Sequence, residues 1–280
     1  MAGRKASAAR RKPPTKASGT VEVAEAAPPG ALPDFIPPEL ATLVDKAPDG
    51  DRWLHEIKFD GYRTAAHVRA GRVRMLTRKG LDWTIRFQPI AETLAGLQAL
   101  SAYLDGEVAV VGKDGATSFA ELQDALSKEQ AERLVYYAFD LLRLDGRDLT
   151  RLPLVQRKEA LQALLAGLPK GSPVQYSEHV IGKGSSFFRN ACKLRLEGIV
   201  SKLAEGRYRS GRGRDWLKVK CFNRQEFVVG GWMPSEAADR ELRSLLVGYY
   251  KDGKLRQGRY RIHPGERAGD GGAATQDWPG

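Results

Sequence analysis

The chain has 280 residues, 42% hydrophobic and 28% charged, with 45 Lys and Arg against 34 Asp and Glu for a net charge of +11. That is enough apolar material for one or two cored domains, and it excludes a wholly disordered, collagen-like or disulfide-scaffold protein. No apolar run approaches the ~18 residues of a membrane span, and the positive surplus favours a polyanionic partner, above all nucleic acid.

Residues 1–30 read as a disordered basic tail: within residues 1–20, which hold no acid, Arg4, Lys5, Arg10, Arg11, Lys12 and Lys16 supply six of the eleven net charges among Ala, Ser, Pro and Gly. It lacks the apolar stretch of a secretory signal. An arm with weak phosphate affinity is the plain reading, and an organelle transit peptide the alternative. Strands are predicted at 53–58, 62–68 and 73–77, with Asp60-Gly61 and Lys79-Gly80 as turn signals. Helical periodicity runs over 84–100 through Ile85, Phe87, Ile90, Leu94, Leu97 and Leu100. A strand at 104–111 is expected to be interrupted by Asp105-Gly106. A short helix at 119–126, a strand at 134–142, an amphipathic helix at 154–168 and a helix at 185–196 follow. Strands at 199–202, 217–220, 227–232 and 245–250 close the series. Strands and helices are interspersed without a regular βαβ repeat, which favours α+β over a doubly wound sheet.

The chain contains no P-loop, no GxGxxG and no GxSxG. Cys192 and Cys221 have no CxxC partner, so free thiols in a reducing cytoplasm are expected. His55, His67, His179 and His263 show no zinc-ligand spacing. The segment Glu56-Ile57-Lys58-Phe59-Asp60-Gly61-Tyr62-Arg63 stands out: a strand ends in a lysine and a D-G turn returns an arginine beside it. It reads either as an ordinary hairpin with solvated charges or as a lysine nucleophile with an arginine placed for an anion. Lysine attacks only as the neutral amine, which nearby cations or desolvation favour.

This K-x-D-G-x-R segment resembles that of the covalent nucleotidyltransferases, most closely ATP-dependent DNA ligases. Five further signatures follow in that family's order: Thr77-Arg78-Lys79-Gly80, Asp105-Gly106-Glu107, Phe139-Asp140, Glu197-Gly198-Ile199-Val200-Ser201-Lys202 and Trp216-Leu217-Lys218-Val219-Lys220. The wording around them is similar to the ligase module of bacterial nonhomologous end-joining ligases. The resemblance implies a nucleotidyltransferase fold, with ATP-grasp-like antiparallel sheets and flanking helices, over residues 31–221. An oligonucleotide-binding (OB) barrel would begin at 222.

It also implies roles, and each has a plainer counterpart. Lys58 would become adenylylated. Arg63 and Arg78 would hold ribose and phosphate, or form surface ion pairs. Glu107 would accept from a ribose hydroxyl and assist Glu197 with a metal ion. Glu56 would accept from the adenine amino group, or pair with a neighbour. Phe139 would stack on adenine, or simply fill the core. Lys202, Lys218 and Lys220 would converge on the triphosphate and disfavour a charge on Lys58. ATP and Mg²⁺ are the implied cofactors, with Mn²⁺ a substitute. Nicked or broken duplex DNA is the implied partner, with an end-binding protein and a polymerase beside it. A monomer in the bacterial cytoplasm, associated with the nucleoid, is expected.

The fit lapses after about Lys254. Residues 253–280 hold seven glycines and few apolar residues, too few for two more strands, and the family's closing R-x-D-K motif is absent. A truncated barrel, from a reading-frame change after about residue 255, is the expectation, with the first chemical step impaired. The alternatives are a catalytically weak nicked-DNA-binding remnant and an RNA-ligase or capping-type transferase.

Overall fold

A computed structural model describes residues 32–221, 228–234, 242–251 and 254–261. The basic tail expected at 1–30 and the part beyond 261 of the irregular end expected at 253–280 lie outside the described residues. In chain order the elements are β1 (Glu39–Leu43), β2 (Gly50–Ile57), β3 (Tyr62–Arg69), β4 (Arg72–Thr77), α1 (Gln88–Ala95), β5 (Ser101–Val110) and α2 (Phe119–Ser127). Then come β6 (Leu134–Leu144), β7 (Arg147–Asp148), α3 (Leu154–Leu165), β8 (Val174–Tyr176), β9 (His179–Gly182), α4 (Gly184–Lys193), β10 (Gly198–Leu203) and β11 (Gly211–Lys220). Three more strands follow: β12 (Val228–Pro234), β13 (Leu242–Lys251) and β14 (Lys254–Arg261).

The strands up to β11 form two sheets, ordered β4-β3-β5-β6-β7, with β8 added beside β6, and β1-β11-β10-β2-β9. Pairing is antiparallel except for β1 on β11 and β8 on β6. The fold is therefore mixed and mainly antiparallel, as the irregular alternation of elements implied. Helices α1, α2 and α3 cover one face of the first sheet. There Ile90, Leu94, Leu122 and Leu161 pack with Val108, Val110, Leu134 and Tyr136 in the main core. Each such large side chain, fully buried, contributes about 1.5–3 kcal/mol. Ser118 caps α2, its hydroxyl accepting from the Glu121 N–H. Helix α4 lies on β10 and β2 of the second sheet. The open faces of the two sheets approach through Tyr103, Phe139, Leu142, Tyr208 and Trp216.

Several expectations are corrected. The helix read over 84–100 is a 3-10 turn at Thr84–Phe87 followed by α1, which ends at Gly96. Pro89 has no N–H to give to a helix interior, so the α-helix starts around it. Ile85 and Leu100, counted toward the apolar face, are 88% and 78% exposed. Strand β5 runs unbroken through Asp105-Gly106, absorbing a register shift against β6 at that point. Gly106 is required there, because a Cβ would lie 2.4 Å from the Tyr136 ring. Strands β1, β8 and β9 carry little alternation and had no sequence signal. Strand β14 extends past Lys254, pairing antiparallel with β13 and following β12 and β13 in a three-stranded sheet.

The two cysteines form a disulfide, against the expectation of free thiols. Antiparallel pairing of β10 with β11 and the seating of α4 on β10 bring the end of the helix beside the end of β11. The Cα atoms of Cys192 and Cys221 are then 5.3 Å apart, inside the range that a bridge spans. A spacing of 29 residues gives no local signal of that. No helix among the described residues is long and apolar enough to cross a membrane.

Candidate active site

Strand register builds one wall of a cleft. Because cross-strand partners share a face, β2, β10 and β11 present three rows of side chains. Glu56, Val200 and Lys218 make one row, and Leu54, Lys202 and Trp216 the next. Beyond the end of β2, the Lys58 N–H donates to the Gly198 carbonyl at 3.0 Å, and Gly198 pairs with Lys220. Gly198 cannot carry a side chain: its φ is +154° and a Cβ would lie 2.1 Å from the Val219 oxygen. The facing wall comes from β3, β5 and β6, where Arg63 sits opposite Glu107 and Phe139 projects from β6.

The cleft is lined by Glu56, Lys58, Arg63, Arg78, Glu107, Phe139, Lys202 and Lys218, eight of the ten residues nominated from sequence. Glu197 and Lys220 adjoin it through Lys58: Glu197 pairs with Lys58 through one oxygen and with Lys220 through the other, at 3.3 Å. The nominated set is thus brought together without exception. Arg78 is exposed at the rim.

Two nominees are engaged in ways the residue types left open. Arg63 donates bidentately to Asp105 at 2.6 Å and 2.6 Å, and to the Glu39 carbonyl at 3.1 Å. The Tyr208 hydroxyl donates to the same Asp105. The Arg63 guanidinium lies 4.6 Å from the Phe139 ring centre, so this arginine frames the cleft wall. Asp105 outweighs the effect of burial and keeps Arg63 firmly charged. Phe139 is both core and cleft lining: it packs edge-on against Trp216, with ring centres 5.9 Å apart, yet it borders the cavity.

Glu56 is 2% exposed. One oxygen accepts from Lys158 at 2.8 Å; the other accepts from Lys202 at 2.9 Å and the Ser177 hydroxyl at 3.0 Å. Burial alone would raise this carboxyl, but the two ammonium groups outweigh it and hold it below the usual carboxylate range. Burial lowers Lys202 to about 8, against the pull of Glu56. The Lys202 ammonium lies 4.2 Å from the Phe139 ring centre and 4.1 Å from that of Trp216. Lys218 is lowered by burial first, then by Lys58 and Lys220. Burial raises Glu107 to about 7, although Arg63 and Lys58 oppose it.

Sequence reasoning missed Trp216 as a cleft residue, although it lies in step with Lys218 and Lys220 at the period of a strand face. It also missed Asp105 as the Arg63 anchor and Lys158, which arrives from α3 with no local signal. Among the described residues no group of three or more His, Cys, Asp or Glu is placed to hold a metal ion.

The sequence family described as ATP dependent DNA ligase domain matches residues 38–220. A multifunctional non-homologous end joining protein LigD from Pseudomonas aeruginosa is 39% identical over 229 residues, covering 82% of this chain and 27% of that protein. A solved structure of mycobacterial DNA ligase D complexed with ATP and MES has a TM-score of 0.61 at 33% identity, covering 81% of this chain and 73% of that one. The ligase domain from M. tuberculosis LigD gives a TM-score of 0.60 at 32% identity, with the same coverages. The chain spans about a quarter of the length of the curated LigD relatives it matches.

Proposed function

The chain belongs to the ATP-dependent DNA ligase domain family, and from that premise we propose that its cleft seals DNA strands through a lysyl-adenylate on Lys58. The observation that carries this reading is the convergence of six separated motifs on one cleft, with Lys58 at its mouth. Lys58 first gives up a proton from its ion pair with Glu197. The neutral amine then attacks the ATP α-phosphorus, forming a P–N bond as pyrophosphate leaves and the nitrogen sheds a second proton to solvent. AMP then passes to a DNA 5′-phosphate, and a neighbouring 3′-hydroxyl displaces it. In-line positioning and charge neutralisation carry most of the rate in such transfers.

Adenine would lie between Phe139 and Val200, with Glu56 accepting from its amino group and Glu107 from a ribose hydroxyl. The cavity is about 210 Å³, below the ~300–1,000 Å³ of pockets that enclose a whole drug-sized ligand. It suits the nucleoside, and the triphosphate would run outward past Lys202, Lys218 and Lys220. Arg78 at the rim is placed for the phosphates. Glu197 holds Lys58 as an ion pair before the nucleotide arrives.

Glu197 and Glu107 would also hold Mg²⁺. Two carboxylates with no third ligand suit that ion, which keeps several waters and completes its shell from substrate phosphates. When bound, Mg²⁺ polarises the phosphoryl oxygens and offsets their charge. Binding of Mg²⁺ at Glu197 would compete with its ion pair to Lys58.

The three strands β12 to β14 begin the proposed OB barrel, with Val229 and Trp232, 60% and 67% exposed, offering apolar surface to the nucleic acid. Nicked or broken duplex DNA in the bacterial cytoplasm, with an end-binding protein and a polymerase as helpers, completes the reading. The test is covalent labelling with ATP radiolabelled at the α-phosphate, then sealing of nicked and pre-adenylylated duplexes. Wild type should carry AMP and Lys58→Ala should not. Equal labelling of both would remove Lys58 from its role, and a GMP adduct without an AMP adduct would reject the ligase reading.

A further inference from the structure

Lys158 is a buried cation beside the cleft that does not line it. It comes from α3, is 1% exposed, and donates to Glu56 at 2.8 Å and to the Ser177 carbonyl at 2.9 Å. Its ammonium also lies 4.5 Å from the Tyr176 ring centre. Glu56 therefore has two lysine partners, and only Lys202 borders the cavity. Two buried cations on one buried carboxylate leave a surplus positive charge, which costs free energy unless the surplus has a use. The burial-driven lowering of Lys202 to about 8 is in line with that surplus.

A carboxylate this deeply buried needs a counter-ion. If Lys202 were the sole one, moving its ammonium toward a phosphate would strand the Glu56 charge, and Lys202 would be captive. We infer that Lys158 is a positioning residue: by neutralising Glu56 from the side away from the cleft, it frees Lys202 to leave that carboxylate and serve the nucleotide phosphate. This rests on the proposed role of Lys202 in lysyl-adenylate formation. Lys158 touches no substrate and acts through Glu56 alone.

The experiment is single-turnover lysyl-adenylate formation across ATP concentrations. With Lys158→Met, the maximal rate should fall about 10- to 150-fold, the worth of one hydrogen bond to a charged group, while the ATP concentration for half-maximal rate moves less than threefold. Lys158→Arg should retain most of the rate. The diagnostic variant is Lys158→Met with Glu56→Gln, which removes both charges and leaves Lys202 nothing to neutralise. It should recover to within about fivefold of Glu56→Gln alone, whereas a lysine that mattered only for packing would not be rescued. Should Lys158→Met fail to fold, thermal melts of the double variant against Glu56→Gln read the same coupling, and agreement within a few degrees is expected.

A Lys158→Met enzyme at the wild-type rate, or a double variant that falls well short of Glu56→Gln alone in rate or in melting, would overturn the inference. Lys202→Met, run alongside, separates the premise: an unchanged rate there removes the phosphate role of Lys202. Absence of any adduct in wild type sinks the ligase reading itself.

Discussion

Reducing the Cys192–Cys221 bridge should loosen the part of the site that handles charge. The bridge closes a loop with a sequence separation of 29, and that loop contains Glu197, Lys202, Lys218 and Lys220. Chain-entropy arithmetic for a loop of this length gives about 3.5 kcal/mol of stabilisation, drawn from restricting the unfolded chain. For a domain of this size, that corresponds to a fall in Tm of roughly 7–14 °C on reduction. The assay is thermal unfolding by circular dichroism with and without dithiothreitol, with thiol titration to establish the redox state. Cys192→Ser with Cys221→Ser should melt near the reduced wild type and ignore the reductant. Lysyl-adenylate formation should lose its heat tolerance in parallel, since that loop supplies Lys202, Lys218 and Lys220, the cations proposed to meet the phosphates. A titrated, fully oxidised protein whose Tm does not move on reduction would refute the reasoning.

Two other outcomes are expected. Asp140 and Arg157 form a wholly buried bidentate pair at 2.7 Å and 2.9 Å; Asp140→Asn leaves the guanidinium unpaired and should cost about 3–5 kcal/mol in urea unfolding. Burial raises the carboxyl of Glu39, which is 1% exposed, to about 7. The native state therefore holds a proton that the unfolded chain releases near pH 4.5, so stability should fall as pH rises from about 4.5 to 7, by up to about 3 kcal/mol from this group. Glu39→Gln should reduce the slope of that stretch of the stability profile, leaving the share that Glu107 contributes over the same range, and an unchanged slope would show that Glu39 is not a group responsible.

Much of the candidate site was legible because its residues fall in short local runs. Each motif sits on or beside a strand whose period-2 alternation could be read directly, as in Lys218 and Lys220. The illegible part is non-local. Lys158 reaches Glu56 across 102 residues, and Tyr208 reaches Asp105 across 103. Both partnerships exist only once the sheets have stacked. The disulfide escaped for the same reason. The over-long helix at 84–100 failed differently: apolar periodicity counted Ile85 and Leu100, while Pro89 and Gly96 decided where a helix can run.

The three rows across β2, β10 and β11 have a consequence for how this domain tolerates insertions. Every cleft-facing group on β11 occupies an even position, so a single residue added or removed within Trp216–Lys220, the stretch paired with β10, would turn the side chains beyond it to the opposite face. A change of two residues would restore the face but slide the cations about 7 Å along the strand. The same length change between Leu203 and Gly211, outside both strands, leaves the register alone. Length variation is expected to collect there, and the cation set to be inherited or lost as a block.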